Sequence, residues 1–98
     1  MIIRIVKMTF RPECTDDFQA HFQTYKKRIR STAGCRHLEL LRDTQNPDIF
    51  FTYSFWKTPE HLDAYRQSEL FGIVWKQTKT WFAEAPEAWS VNRLEIMS

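Results

Sequence analysis

Ile49-Phe50-Phe51-Thr52-Tyr53-Ser54-Phe55-Trp56 is the segment that most limits what this chain can become. Its β-branched and aromatic residues favour an extended strand. Side chains alternate across a strand, so Ile49, Phe51, Tyr53 and Phe55 share one side and Phe50, Thr52, Ser54 and Trp56 the other. Both sides carry large aromatics. A sheet with one face in water is plainly polar on that face. This strand therefore belongs to a sheet covered on both sides, by its own helices on one and by a partner, most economically a second copy of the chain, on the other. The aromatic content, 15% of 98 residues, exceeds what one small helix-covered layer requires.

The rest of the chain supplies the other layers. Ile2 to Phe10, rich in Ile and Val, reads as a first strand, ended by Arg11-Pro12-Glu13 because proline cannot donate to a ladder. Thr15 is a candidate helix cap, with Asp16 and Asp17 complementing the helix N-terminus. Phe18, Phe22, Tyr25 and Ile29 then mark one helical face. Lys26, Lys27, Arg28 and Arg30 crowd the last turns, where the helix dipole favours cations, and Gly34 is a candidate terminator. Cys35 to Asp43 alternates loosely, with Arg36, Leu38, Leu40 and Arg42 on one side and Cys35, His37, Glu39 and Leu41 on the other. The Asp43–Asp48 turn cluster joins it to the aromatic strand as a hairpin. Thr58-Pro59-Glu60 opens a short helix through Leu62 and Tyr65. Ser68-Glu69 restarts a helix, with Phe71, Val74, Trp75, Thr78 and Phe82 along one side, and Pro86 stops it. Trp89 to Met97 reads as the last strand. The order β-α-β-β-α-(α)-β predicts a ferredoxin-like α+β fold, with a four-stranded antiparallel sheet and helices on one face. The length suits a single domain spanning residues 1–98.

Several function classes lack support. Only two glycines are present, Gly34 and Gly72, so no phosphate-cradling loop or dinucleotide fingerprint exists. The net charge of +2 is far from that of a dedicated nucleic-acid binder. Phe51, Tyr53 and Phe55 invite comparison with RNA-stacking sheets, but a glycine-bearing RNP1 pattern is missing. No apolar run approaches a membrane helix and no signal peptide is recognisable, so the expected compartment is the cytoplasm. Cys14 and Cys35 flank a helix about 24 Å long, too far apart for an intrachain disulfide. Two free thiols agree with a reducing compartment. His21 lies four residues after Asp17, His61 near a helix start, and no motif gathers a metal-ligand set. Neither a metal nor another cofactor is expected. No serine sits in G-x-S-x-G.

The first strand followed by Arg11-Pro12-Glu13, the aromatic helix, Gly34 before the second strand, Trp56 closing the third, and the series Leu62, Tyr65, Ser68, Phe71 together resemble the antibiotic biosynthesis monooxygenase family of dimeric α+β barrels. The resemblance spans nearly the whole chain. It implies two sheets packed face to face as a homodimer, and in each subunit a pocket between sheet and helices. It also implies oxidation of a phenolic or quinol-like compound by dioxygen without metal or flavin. Many members carry Glu two residues before the strand-three Trp, where this chain has Ser54, and His where it has Tyr65. The haem-degrading branch uses Asn, Trp and His near positions here occupied by Lys7, Tyr65 and Trp75, so haem degradation is not implied.

Candidate site residues follow. His37 and Glu39, two apart on one strand face, have the chemistry of a general base oriented by a carboxylate, or of a surface pair on a hairpin edge. By resemblance Tyr65 hydrogen-bonds a substrate hydroxyl, Trp75 stacks on its ring, and Phe71 lines the pocket, although the same stripe also suits plain core packing. Thr52, Ser54 and Asn92 are polar residues inside apolar strands, each needing a partner if buried, and so are candidate substrate donors. The expected function is a cofactor-independent monooxygenase acting on a small aromatic. The alternatives are a non-catalytic homodimeric binding or structural protein and an isomerase of the same architecture.

Overall fold

A computed structural model describes residues 1–98. The strands β1 (Ile2–Thr9), β2 (Cys35–Arg42), β3 (Ile49–Trp56) and β4 (Glu87–Val91) form one sheet in the order β2-β3-β1-β4. Every neighbouring pair is antiparallel. The helices α1 (Thr15–Arg30), α2 (Pro59–Arg66) and α3 (Glu69–Thr78) complete the ferredoxin-like α+β fold expected from the element order. No helix is long and apolar enough to cross a membrane.

Register decides which side chains meet the helices. Ile5 lies opposite Tyr53, and Val6 opposite Thr52. Arg4, Val6, Met8 and Phe10 therefore share the side of Thr52, Ser54 and Trp56. The core on that side joins Val6, Met8, Phe10 and Phe50 to Phe18 and Phe22 of α1. Phe10 stacks on Phe18 at 4.2 Å between ring centroids and meets Phe50 edge-on at 5.7 Å. Such pairs add about 0.5–1.5 kcal/mol beyond the area they bury. A second cluster of Cys35, Trp56 and Leu62 closes the far end of the sheet under α2.

Local chemistry explains the element ends. Thr15 does not cap α1: a 3-10 turn over Pro12–Cys14 leads straight into the helix, so Thr15 already has helical dihedrals and donates its hydroxyl back to the Pro12 carbonyl. Asp16, Asp17 and the basic last turn complement the dipole as expected. α1 ends at Arg30 with Ser31 as its cap, and Gly34 serves the following turn instead. Gly34 has φ of 85°, and a Cβ there would lie 2.3 Å from Cγ of His61, so both conformation and space demand glycine. Thr58 and Ser68 cap α2 and α3 through the amides of His61 and Phe71. α3 stops at Thr78, and Phe82 instead bridges to Phe10 beside the sheet.

The two outer strands depart from simple alternation. In β2 an irregularity between Cys35 and His37 sets Cys35 opposite Trp56 and His37 opposite Phe55. Cys35 thus faces the helices while His37 faces away, and the two do not share a side. β4 ends at Val91 instead of running to Met97. Val91 pairs with Ile3 near the start of β1, so the chain beyond it has almost no strand left to pair with. Asn92 consequently lies outside the sheet and is exposed.

The side away from the helices carries Ile5, Phe51, Tyr53, Phe55, Leu41, Trp89 and Val91, interspersed with Lys7, Glu87, His37 and Glu39. Trp89, Val91 and Leu41 are among the exposed large apolar residues of the chain. Ile3 is the one buried residue of this side, so a single copy leaves most of the apolar face at least partly in water.

A candidate ligand cavity between sheet and helices

A cavity of about 340 Å³ opens between the helix-facing side of the sheet and the three helices. Its volume lies in the range of small-molecule sites, about 300–1,000 Å³. The sheet contributes Arg4, Val6 and Met8 from β1, Leu38 from β2, Thr52, Ser54 and Trp56 from β3 and Ala88 from β4. Tyr65 and Arg66 reach it from the end of α2, and Phe71, Val74 and Trp75 from one side of α3.

Five of the seven residues singled out from the sequence meet here: Thr52, Ser54, Tyr65, Phe71 and Trp75. Tyr65 stacks on Trp56 at 4.9 Å with 22° between planes, Phe71 meets Tyr65 edge-on at 5.2 Å, and Trp75 follows Phe71 at 5.6 Å. The result is a continuous aromatic wall. Trp56 Nε1–H donates to Ser54 Oγ at 3.0 Å, which leaves the Ser54 hydroxyl proton free to donate. Thr52 adds a second hydroxyl from the same face of β3.

Burial, with a smaller effect from nearby Cys35, holds the Tyr65 phenol well above its ordinary pKa. Tyr65 is thus a neutral donor at physiological pH and not a base. The folded state keeps a proton that the unfolded chain loses near pH 10, so stability gained from neutral Tyr65 is present below that pH and falls above it. Alkaline titration followed by ultraviolet absorbance is expected to show one of the three tyrosines ionising only as the protein unfolds. Tyr65→Phe should abolish that delayed step.

The other two candidates do not reach the cavity. His37 sits on the opposite side of the sheet, where its Nε2 hydrogen-bonds Glu39 and its ring lies 4.7 Å from that of Phe55. The pair forms as its spacing suggested, but a sheet separates it from the aromatic wall. Asn92 is exposed beyond the end of β4. Lys7 also faces away, paired with Glu87. His21 Nε2–H donates to the Val74 carbonyl, tying α1 to α3, and His61 bonds Thr58 at the start of α2. Both have structural partners. Cys14 and Cys35 are free and buried. No three His, Cys, Asp or Glu side chains gather in the chain.

Sequence reasoning missed Arg4 and Arg66. Arg4 is half-buried on the cavity side of β1, and its Nη1 donates to Ser90 Oγ at 3.0 Å. Burial and the neighbouring Arg66 lower its pKa, and Asp63 acts in the other sense. The signal was present: Arg4 has the parity of Val6, Met8 and Phe10, the inward positions of the first strand.

The family model of antibiotic biosynthesis monooxygenases matches residues 1–73. The chain belongs to this family. The matched stretch contains β1 to β3, α2 and the start of α3, and with them Thr52, Ser54, Tyr65 and Phe71. Among curated proteins none matches the chain in sequence. Solved structures match throughout. A conserved protein from Methanosarcina mazei Go1 is 20% identical with a TM-score of 0.88, over 95% of this chain and 93% of that one. A Nitrosomonas europaea protein described under the same family name is 20% identical with a TM-score of 0.86, over 97% of this chain and 100% of that one. Rv0793 from Mycobacterium tuberculosis is 16% identical with a TM-score of 0.88, over 99% of this chain and 98% of that one. At these identities the likeness fixes the fold.

Proposed function

We propose that this family member is a cofactor-independent monooxygenase that oxidises a small electron-rich aromatic with dioxygen, working as a cytoplasmic homodimer joined through the open sheet faces. The observation that carries the reading is the cavity: an aromatic wall of Trp56, Tyr65, Phe71 and Trp75 facing the hydroxyls of Thr52 and Ser54.

In the proposed reaction the substrate gives a proton from an activated ring carbon or hydroxyl to solvent, which later returns one to the peroxide, and the carbanion or enolate passes one electron to dioxygen. The substrate radical and superoxide combine to a peroxide, which takes a proton and expels water. One oxygen atom ends as a carbonyl on the substrate and the other as water. The substrate's own two hydrogens and electrons balance the step. Trp75 holds the ring by stacking, Tyr65 and Ser54 donate to the substrate oxygen that gains charge, and the apolar wall keeps water from the radical pair. His37 has no part in this cavity.

Oxygen uptake with anthrone and hydroquinone substrates tests the reading, with product formation followed in parallel. Uptake that falls at least about tenfold in Trp75→Ala supports a stacked substrate. No turnover across a broad phenol and quinol panel at high protein concentration overturns it.

One observation favours a second reading. No carboxylate or imidazole lines the cavity. That suits a non-catalytic binding protein, which would hold the same aromatics without consuming oxygen.

A further inference from the structure

The charged residues lining the cavity are Arg4, Arg66 and Lys79, all cationic. The whole chain is nearly balanced, with 14 Lys and Arg against 12 Asp and Glu, so this lining concentrates one sign. None of the three has an ion partner: the salt bridges of the chain are Lys7–Glu87, Arg11–Glu13 and His37–Glu39. Asp63, one turn before Arg66 on α2, is the acidic side chain felt by Arg4, yet it forms no salt bridge. Arg4 and Arg66 come from different elements, the inner strand β1 and the end of α2, line the same cavity, and the Arg66 charge bears on that of Arg4. A half-buried guanidinium beside a second one, with no counterion, is costly unless something anionic joins them. Only Nη1 of Arg4 has a side-chain partner, the Ser90 hydroxyl. The remaining fork is free for the paired hydrogen bonds that a guanidinium makes to a planar oxyanion.

We propose that the natural ligand of the cavity is an aromatic acid, its ring against Tyr65 and Trp75 and its carboxylate or equivalent oxyanion held between Arg4 and Arg66. The inference rests on the reading of the cavity as an aromatic site, but not on oxygen chemistry. In the oxygenase reading the same pair also favours an anionic substrate over a neutral one.

A matched pair of probes tests it: 1-naphthoate and the neutral 1-naphthalenemethanol, titrated calorimetrically into the wild-type protein. The acid is expected to bind about ten- to hundredfold more tightly, the range of one or two charge-assisted hydrogen bonds. Arg4→Gln and Arg66→Gln should each remove most of that preference, lowering the acid's affinity far more than the alcohol's. Arg66 is exposed, so its variant keeps the test open if Arg4→Gln does not fold. Ser90→Ala removes the structural bond of Arg4 but keeps its charge and should retain the preference; a preference lost in Ser90→Ala yet kept in Arg4→Gln would assign Arg4 a merely structural role and overturn the proposal. Equal binding of both probes, or a preference that survives in both arginine variants, overturns it while leaving the aromatic cavity standing. Binding of neither probe overturns the aromatic cavity and this proposal together. Acid binding without oxygen uptake by any substrate upholds this inference and removes the oxygenase reading alone.

Discussion

Trp56→Ala is expected to cost about 3–5 kcal/mol of folding stability, the usual range for truncating a buried aromatic. The indole is 1% exposed and packs with Cys35 and Leu62 where β2, β3 and α2 meet. Its removal leaves Tyr65 without the ring it stacks on and Ser54 without its donor. A domain of this size has about 5–15 kcal/mol in all, so the alanine variant sits near the limit of folding. Trp56→Phe separates the contributions. It keeps a ring under Tyr65 but drops the bond to Ser54, worth about 0.5–1.5 kcal/mol, plus the smaller volume. Urea unfolding of both variants checks the pair of values. A loss below about 1 kcal/mol for alanine would contradict the packing described, because no buried indole so enclosed is removed that cheaply. The same residue joins fold to function: the bond from Trp56 is what directs the Ser54 hydroxyl, so the phenylalanine variant should bind aromatic probes more weakly even though it folds.

What the sequence made legible follows from which periodicities are self-contained. Phe18, Phe22 and Ile29 name the buried face of α1 without outside information, because the helical repeat alone groups them. The aromatic strand likewise sorts its own residues, and Thr52 and Ser54 reach the cavity because they alternate with Phe50 and Trp56. Family resemblance puts Tyr65, Phe71 and Trp75 at a pocket, and the end of α2 and one side of α3 bring them together. His37 shows where such reasoning stops. Its pairing with Glu39 is local and real, but whether that side faces the helices depends on the register of β2 against β3 and on the irregularity after Cys35. Asn92 failed for a non-local reason as well. Val91, Leu94 and Ile96 are apolar, yet a strand persists only where a neighbour offers backbone to pair, and β1 begins at Ile2. A charge inside an apolar strand reads as an interruption, which hides Arg4. Its parity with Val6 and Met8 makes it the more informative residue, since a cation on the inward side needs a reason to be there.

If the open faces pair as proposed, Ile5→Lys is expected to shift that dimer to monomer, weakening association by more than about 100-fold, or about 2.7 kcal/mol. Ile5 lies on the inner strand β1, between Tyr53 of β3 and Trp89 of β4, at the centre of the open face. Two sheets packed face to face about 10 Å apart leave no water there for an ammonium group. A two-fold interface brings each substitution in twice, so two unpaired charges are desolvated together. Trp89→Ala makes the complementary test, because Trp89 is 45% exposed in the single chain and its loss should cost the monomer little. As an interfacial tryptophan it should instead cost about 2 kcal/mol or more of association. Sedimentation velocity across a concentration series reads both effects, and circular dichroism confirms that the variants remain folded. A wild-type protein that stays monomeric at tens of micromolar (about the level where a stable small dimer forms, a Kd near 1 μM being about −8.2 kcal/mol) would refute the sheet-to-sheet dimer. So would a Trp89→Ala dimer of unchanged affinity. The cavity makes a separate demand on the same experiment. It is lined from the helix side of the sheet, so a monomeric Ile5→Lys protein that remains folded should still bind an aromatic probe; loss of binding on dissociation would mean that the open face helps shape the site through the strands it shares with it.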